Sequence, residues 1–335
     1  MKLDIKLLKR LYMIDHPSRG EQPMISFIIN HCYGLTNLKF ELDHYNNLFI
    51  TKNTTNPEYY PCVVAHLDQI ETHKGPYRIV QNGDIISGVN RVDGSPCSLG
   101  ADDANGICVA LQLLNTQDNL KVVFTTEEEC GAIGAREAAI NIDFFANVSY
   151  FLQADRKGKN SLITHTNCID VVSPEFLRDL RPIMTKYGYI PDNSGTLTDV
   201  GELCYELKLA GCNISCGYYH QHTSKEYTRI SELQNCLNFM EEILNTLPQV
   251  PYELEVSYYG HYGYFKENDP YGLYNQYDCG YDYEWEPDAE AWEKYDAACQ
   301  KAEAEAPSEI DYESIPCDHC RDMDCKNCKY INDMF

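Results

Sequence analysis

The chain has 335 residues, with 27 Lys and Arg against 51 Asp and Glu, a formal net charge of −24. That length supports one large domain or two ordinary ones with a core that needs no staples. The charge repels nucleic-acid phosphates and anionic membrane surfaces, which excludes general DNA, RNA or membrane-surface binding. The longest apolar runs, such as residues 25–29, fall far short of the roughly 20 residues of a membrane span. Residues 1–12 alternate Lys with Leu and Ile and lack the apolar core of a secretory signal, so a cytoplasmic protein is expected. Of the 16 cysteines, 12 stand singly in apolar runs, as Cys62, Cys108 and Cys212 do, and read as reduced, buried small hydrophobes.

In chain order, residues 62–65 have the composition of a buried strand that ends in His66-Leu67-Asp68. Residues two apart on a strand face one side, which places the Asp68 carboxylate to accept from the far ring nitrogen of His66 and so fix the tautomer of a metal-binding histidine. The 33 residues between Asp68 and Asp102 carry the turn signals Asn82-Gly83-Asp84 and Val92-Asp93-Gly94 and predict a hairpin near the rim of a site. Residues 104–114 put Ile107, Ala110, Leu111 and Leu114 on one helical face directly after Asp102-Asp103. Helix capping explains one of those two carboxylates well and the other poorly. A strand over 121–124 runs into Glu127-Glu128-Glu129, ahead of a helix over 132–139. Acids grouped at a sheet edge raise one another's pKa unless cations neutralise them. A strand over 149–152 ends in Gln153-Ala154-Asp155, and Thr198-Asp199 opens a helical segment reaching Ala210, where an N-terminal cap is favoured over a place in a pocket. A strand over 214–217 leads into His220-Gln221-His222, and a helix over 231–247 opens with Ser231 and Gln234 at capping-box spacing.

Strand and helix alternate, which predicts an α/β sandwich with a mostly parallel sheet and ligands at the carboxyl ends of its strands. Those ends supply His66, Asp102, a glutamate of the 127–129 run, Asp155 and a histidine of 220–222. Carboxylates mixed with two imidazoles suit zinc, cobalt or manganese. Five ligands are too many for one catalytic zinc and right for two ions that share a carboxylate.

At these residues the sequence resembles the co-catalytic di-zinc exopeptidases, which include peptidase T and the single-domain bacterial leucyl aminopeptidases. The resemblance spans roughly residues 5–247 and rests on His66-x-Asp68, Gly100-Ala101-Asp102-Asp103-x-x-Gly106, Glu128-Glu129-x-Gly131-x-x-Gly134, Asp155 and His222-Thr223-x-x-Glu226, all in family order. It implies a three-layer sandwich with helices on both faces of a mixed, mostly parallel sheet. It also implies that Asp102 bridges two divalent ions, most readily zinc, with His66 and Asp155 completing one site and Glu129 and His222 the other. Glu128 would be the general base toward a water shared by the ions, Asp68 would support His66, and the Asp102–Asp103 peptide would be cis. His222 is preferred to His220 because it opens the family phrase, and Glu128 to Glu127 because Gly131 follows in register. The gaps of 33 residues before Asp102 and 66 before His222 leave no room for the lid or dimerisation domain many members carry, so an oligomer built on a lid is not supported. By the same resemblance, an aspartate at position 155 favours an aminopeptidase acting on short peptides. A deacylase of amino-acid conjugates is the enzyme alternative, and a metal-binding scaffold acting through its tail is the non-enzymatic one. The net charge by itself argues weakly for basic or neutral peptides over acidic ones.

Composition breaks near Pro251, which predicts a catalytic domain over 1–250 and an extension over 251–335. Residues 252–335 hold 21 acidic and 6 basic residues and 13 of the 26 tyrosines. The extension closes with Cys317, Cys320, Cys325 and Cys328, two C-x-x-C pairs spaced like a small structural zinc knuckle, with a redox-sensitive tail as the equal alternative.

Overall fold

A computed structural model describes residues 1–70, 76–166 and 169–255. Two helices come first, α1 (Ile5–Leu11), whose N-terminal amides are capped by the Asp4 carboxylate, and α2 (Gln22–Cys32), with Pro23 in its first turn. The hairpin β1 (Leu38–Leu42) and β2 (Leu48–Asn53) leads to β3 (Tyr60–His66), then β4 (Tyr77–Asn82), β5 (Ile85–Asn90) and the short β6 (Pro96–Cys97). Next come α3 (Ala101–Thr116), β7 (Asn119–Thr125), α4 (Ile133–Ala139), α5 (Ile142–Phe145) and β8 (Val148–Arg156). The short strands β9 (Ser161–Ile163), β10 (His165–Thr166) and β11 (Ile169–Asp170) precede α6 (Pro174–Tyr187), β12 (Ile190–Asp192) and α7 (Asp199–Leu207). The order closes with β13 (Gly211–Ser215), β14 (Tyr218–Tyr219), β15 (Tyr227–Arg229) and α8 (Ile230–Thr246).

The main sheet has eight strands in the order β1-β2-β7-β3-β8-β13-β9-β12. Its centre, β7-β3-β8-β13, is parallel throughout, and antiparallel pairs flank it on both sides. The predicted α/β sandwich with a mixed, mostly parallel sheet is therefore the observed fold. Alternation within the strands explains why both faces must be covered. Val63 and Ala65 of β3 enter one core cluster with side chains of α3 and α8, whereas Cys62 and Val64 enter the other with α4 and α7. Leu120, Val122 and Phe124 of β7 likewise join the first cluster and Val123 the second. Strands apolar on both sides are the mark of a sheet held between helical layers.

A second, smaller sheet runs β14-β15-β5-β4, with β6 on β5. Its β4–β5 hairpin turns at Gly83, as the Asn82-Gly83-Asp84 signal predicts. The strand expected over 214–217 instead begins at Gly211 and ends at Ser215, because Gly217 turns away in the left-handed region at φ 80°. Chain beyond Pro251 still belongs to this body. The Tyr252 amide donates to Ser149 and Leu254 to Lys208, and both side chains are buried. The cysteine pairs at 317–328 lie outside the described residues. Among the described residues no helix is long and apolar enough to cross a membrane.

Candidate metal centre

The chemistry-bearing side chains meet at the carboxyl ends of β7, β3, β8 and β13, four neighbours in the sheet. His66 is the last residue of β3, Asp155 the penultimate residue of β8, and Glu128 and Glu129 follow β7. Asp102 enters from the first turn of α3, where it and Asp103 are not helical and the peptide bond between them is cis, as the resemblance implied. Between them the two carboxylate oxygens of Asp102 face two groups. Oδ1 is 2.9 Å from His66 Nε2, which also lies 3.7 Å from Asp155 Oδ1. Oδ2 is 3.2 Å from His222 Nε2, which lies 2.7 Å from Glu129 Oε1. One cavity of about 160 Å³, partly open to solvent, is lined by Asp102, Glu128, Glu129, Asp155 and His222.

The two neighbouring aspartates divide the tasks that capping alone left unexplained. Asp103 is the cap, accepting from the Gly106 amide at 2.9 Å with one oxygen and from the His66 amide at 3.2 Å with the other. A Cβ at Gly106 would stand 2.4 Å from both oxygens, so only glycine lets the helix approach. Gly134 is needed for a similar reason on the glutamate side, since a Cβ there would meet the Thr126 carbonyl oxygen at 2.0 Å.

Support for the ligands comes from behind. His66 Nδ1 lies 2.9 Å from the main-chain oxygen of Asp68, which leaves Nε2 as the nitrogen facing the cavity. The Asp68 carboxylate stands on the same side of the ring, with Oδ1 3.5 Å from Nδ1, and it is engaged elsewhere as well. It accepts from the amides of Glu128 at 2.9 Å and Glu129 at 3.3 Å and from the Ser18 hydroxyl at 2.6 Å, thereby fixing the glutamate loop. Asp155 is held by Gln153 Nε2 on Oδ2 at 3.2 Å and by the Tyr218 hydroxyl on Oδ1 at 3.1 Å.

Glu226 carries the frame of the whole turn. Oε2 accepts from the Ser98 hydroxyl and the Leu99 and Gly100 amides at 2.7–2.8 Å, and Oε1 from the Ala101 and Asp102 amides at 2.9 and 3.2 Å. Glu226 belongs to a sequence motif that assigns it no role, and the strand pattern assigns none to Gln153 or Tyr218. For Gln153 a signal existed, since it stands two residues from Asp155 on one strand face, the spacing already read in His66-x-Asp68.

Electrostatics divides the cluster in the same way. Burial pushes Asp102 up, but the imidazoles of His222 and His66 outweigh it and hold the carboxyl well below the usual range. Burial opposes a charge on His222, yet Asp102 and Glu129 push it up to about 10, and His66 is raised by Asp102, Asp155 and Asp68 against its burial. Burial and the Asp102 charge push Asp155 up to about 7, and burial with repulsion from Asp155, Asp199 and Glu129 raises Glu128 well above a free glutamate. So dense a set of buried acids is satisfied only by protons or by cations.

The donors also fit a divalent ion in spacing. Ligand atoms about 2.0–2.1 Å from a tetrahedral zinc stand about 3.3–3.4 Å apart. The spacings here, 2.7 to 3.7 Å, bracket that value. Asp102 with Glu129 and His222, and His66 with Glu128 and Glu129, each present donor atoms within 4.8 Å of one another, groups that can hold a metal ion. His220, the competing histidine, instead packs its ring 5.7 Å from that of Tyr227, and Glu127 accepts from Arg19 Nε at 3.1 Å. Thr198 is at the N-cap of α7 but donates to Gln153 and makes no capping bond, and it lines the cavity.

No protein-family model and no curated protein sequence matches the chain. Solved structures match its fold. A tripeptidase from Staphylococcus aureus superposes with a TM-score of 0.59 at 15% identity, over 72% of this chain and 96% of its own. A TET aminopeptidase from a marine-sediment Thaumarchaeota archaeon gives 0.59 at 12% identity, over 72% and 96%. Aminopeptidase PepT from Bacillus cereus gives 0.57 at 13% identity, over 71% and 97%. The α/β sandwich of this chain is thus one that known aminopeptidases and tripeptidases also adopt.

Proposed function

We propose that this chain is a metal-dependent exopeptidase, an aminopeptidase that hydrolyses the N-terminal peptide bond of short peptides with two divalent ions, zinc foremost and cobalt or manganese next. The observation that carries the reading is the Asp102 carboxylate, whose oxygens face separate His–acid pairs, His66 with Asp155 and His222 with Glu129. Those five residues would hold the metals, which when bound polarise a scissile carbonyl and lower the pKa of water toward 7. Glu128 lines the same cavity and is the general base. It takes the proton of the attacking water and returns it to the departing amine, a task that suits a carboxyl displaced upward by burial and acidic neighbours. Asp68 positions that base through its amide, and Gln153 and Tyr218 orient Asp155.

In this reading residues 1–250, with the short stretch packed against them, are the catalytic domain, and the acidic extension with its cysteine pairs need not take part in turnover. Short peptides are the proposed substrates, because a cavity of about 160 Å³ open to solvent on one side admits a chain end and no folded polypeptide. The chain would act without a lid domain. Metal analysis of the purified protein, combined with N-terminal residue release from a dipeptide panel, tests the proposal. Two metals per chain and amino-terminal release are expected; metal without hydrolysis would favour the scaffold, and cleavage of acyl-amino acids alone the deacylase.

A further inference from the structure

The cavity is lined by two chemically distinct sets of side chains. One is the acid and imidazole cluster. The other is built from Arg156 and Lys157, which directly follow Asp155, together with the apolar side chains of Ile163 and Leu197 and the exposed rim residue Thr196. Among the described residues no acid outside the metal cluster lines the cavity. The Arg156 guanidinium is anchored at the wall, Nη2 donating to the Ser194 hydroxyl at 3.0 Å with the Asp192 carboxylate at 3.7 Å. Its side chain remains one-fifth exposed. The Lys157 ammonium forms no hydrogen bond or ion pair among the described residues, and its side chain is exposed on the cavity wall.

A cation without a counter-charge, beside a braced guanidinium and a short apolar strip, is suited to an anionic group carried on an aliphatic stem. We propose that Arg156 and Lys157 form a carboxylate-binding subsite, so that the enzyme selects peptides bearing a carboxylate within a residue or two of the scissile bond. This rests on the exopeptidase reading above. The carboxylate comes either from an acidic N-terminal side chain or from the free C-terminus of a di- or tripeptide. Local charge then overrides the net charge of −24, which by itself argued for basic or neutral peptides.

The test uses the full chain supplied with zinc and two isosteric pairs, Ala-Ala against Ala-Ala-amide and the 4-nitroanilides of Glu and Gln. At least one pair is expected to show a tenfold or greater preference in kcat/KM for its carboxylate member, and the pair that does so identifies the source. Lys157→Glu is expected to abolish or invert that preference, and Lys157→Gln to reduce it. Equal kcat/KM within both pairs, or a preference untouched by Lys157→Glu, overturns the proposal. If no peptide is cleaved, the exopeptidase reading fails, and calorimetric binding of glutamate against glutamine decides the subsite: tighter glutamate binding lost in Lys157→Glu sustains it, and equal binding overturns it.

Discussion

Glu226→Gln is the substitution that separates the frame of the site from its ligands. The native carboxylate accepts from five donors, the Ser98 hydroxyl and the amides of Leu99, Gly100, Ala101 and Asp102. A glutamine of the same shape offers one acceptor atom and one NH2. Turned to best effect, its oxygen serves the Ser98, Leu99 and Gly100 side, and the Ala101 and Asp102 amides face another donor. Each buried donor left unpaired costs about 1–3 kcal/mol, so the change costs about 2–6 kcal/mol. A fold of this kind has about 5–15 kcal/mol in hand, so the turn should yield before the sheet does. The turn carries Asp102, and a loss of even 2 kcal/mol in its placement weakens metal binding roughly 30-fold. Circular dichroism should show a folded Glu226→Gln protein, and calorimetric zinc titration should show the weakened affinity. A folded variant that takes up zinc as tightly as the unaltered chain would refute the positioning argument.

Other expectations follow from the same geometry. Glu128→Gln should retain metal by elemental analysis and lose kcat by about 10²- to 10⁴-fold, the usual contribution of a general base; full activity would remove Glu128 from that role. His222→Ala should lose one equivalent of metal whereas His220→Ala keeps both, which a stoichiometric titration of the two variants reads directly. Metal uptake should become tighter as pH rises. Asp102 and Glu129 hold a proton on His222 up to about pH 10, and a metal must displace it. Apparent affinity should therefore climb about tenfold per pH unit for each proton released, between pH 6 and 8; a pH-independent affinity would contradict the placement of His222. Gly134→Ala forces a methyl to 2.0 Å from the Thr126 oxygen and should lower stability by about 1–3 kcal/mol or more, seen as a reduced urea midpoint.

The central strands were legible because burial on both faces leaves an uninterrupted apolar run, as in Cys62 to Ala65 and Val122 to Phe124. β13 was harder. Gly211 is small because a Cβ there would press to 2.8 Å from Phe151 and Val200, and Asn213 is polar because it bonds Asp155, so half the strand carries no hydrophobic signal. The short pieces from β9 to β12, two or three residues each, were invisible to any periodicity. Acids and histidines after the strands could be found from position alone, whereas atomic roles could not. Spacing put Asp68 on the same side as His66, but whether its carbonyl or its carboxylate meets the ring depends on how the glutamate loop folds back over it. Glu226 lay further out of reach, because its partners are 124 to 128 residues earlier in the chain and nothing local announces them.

That long span bears on how the protein comes into being. β15 pairs with β5, setting Tyr227 opposite Ser87, and this pairing delivers Glu226 to the turn at 98–102. A nascent chain emerging from the ribosome would already display the acidic aspartates and glutamates while the strand that braces them was still untranslated. Until the second sheet closes, such an intermediate has acidic ligands without a scaffold, and maturation of the centre waits on that pairing instead of nucleating it.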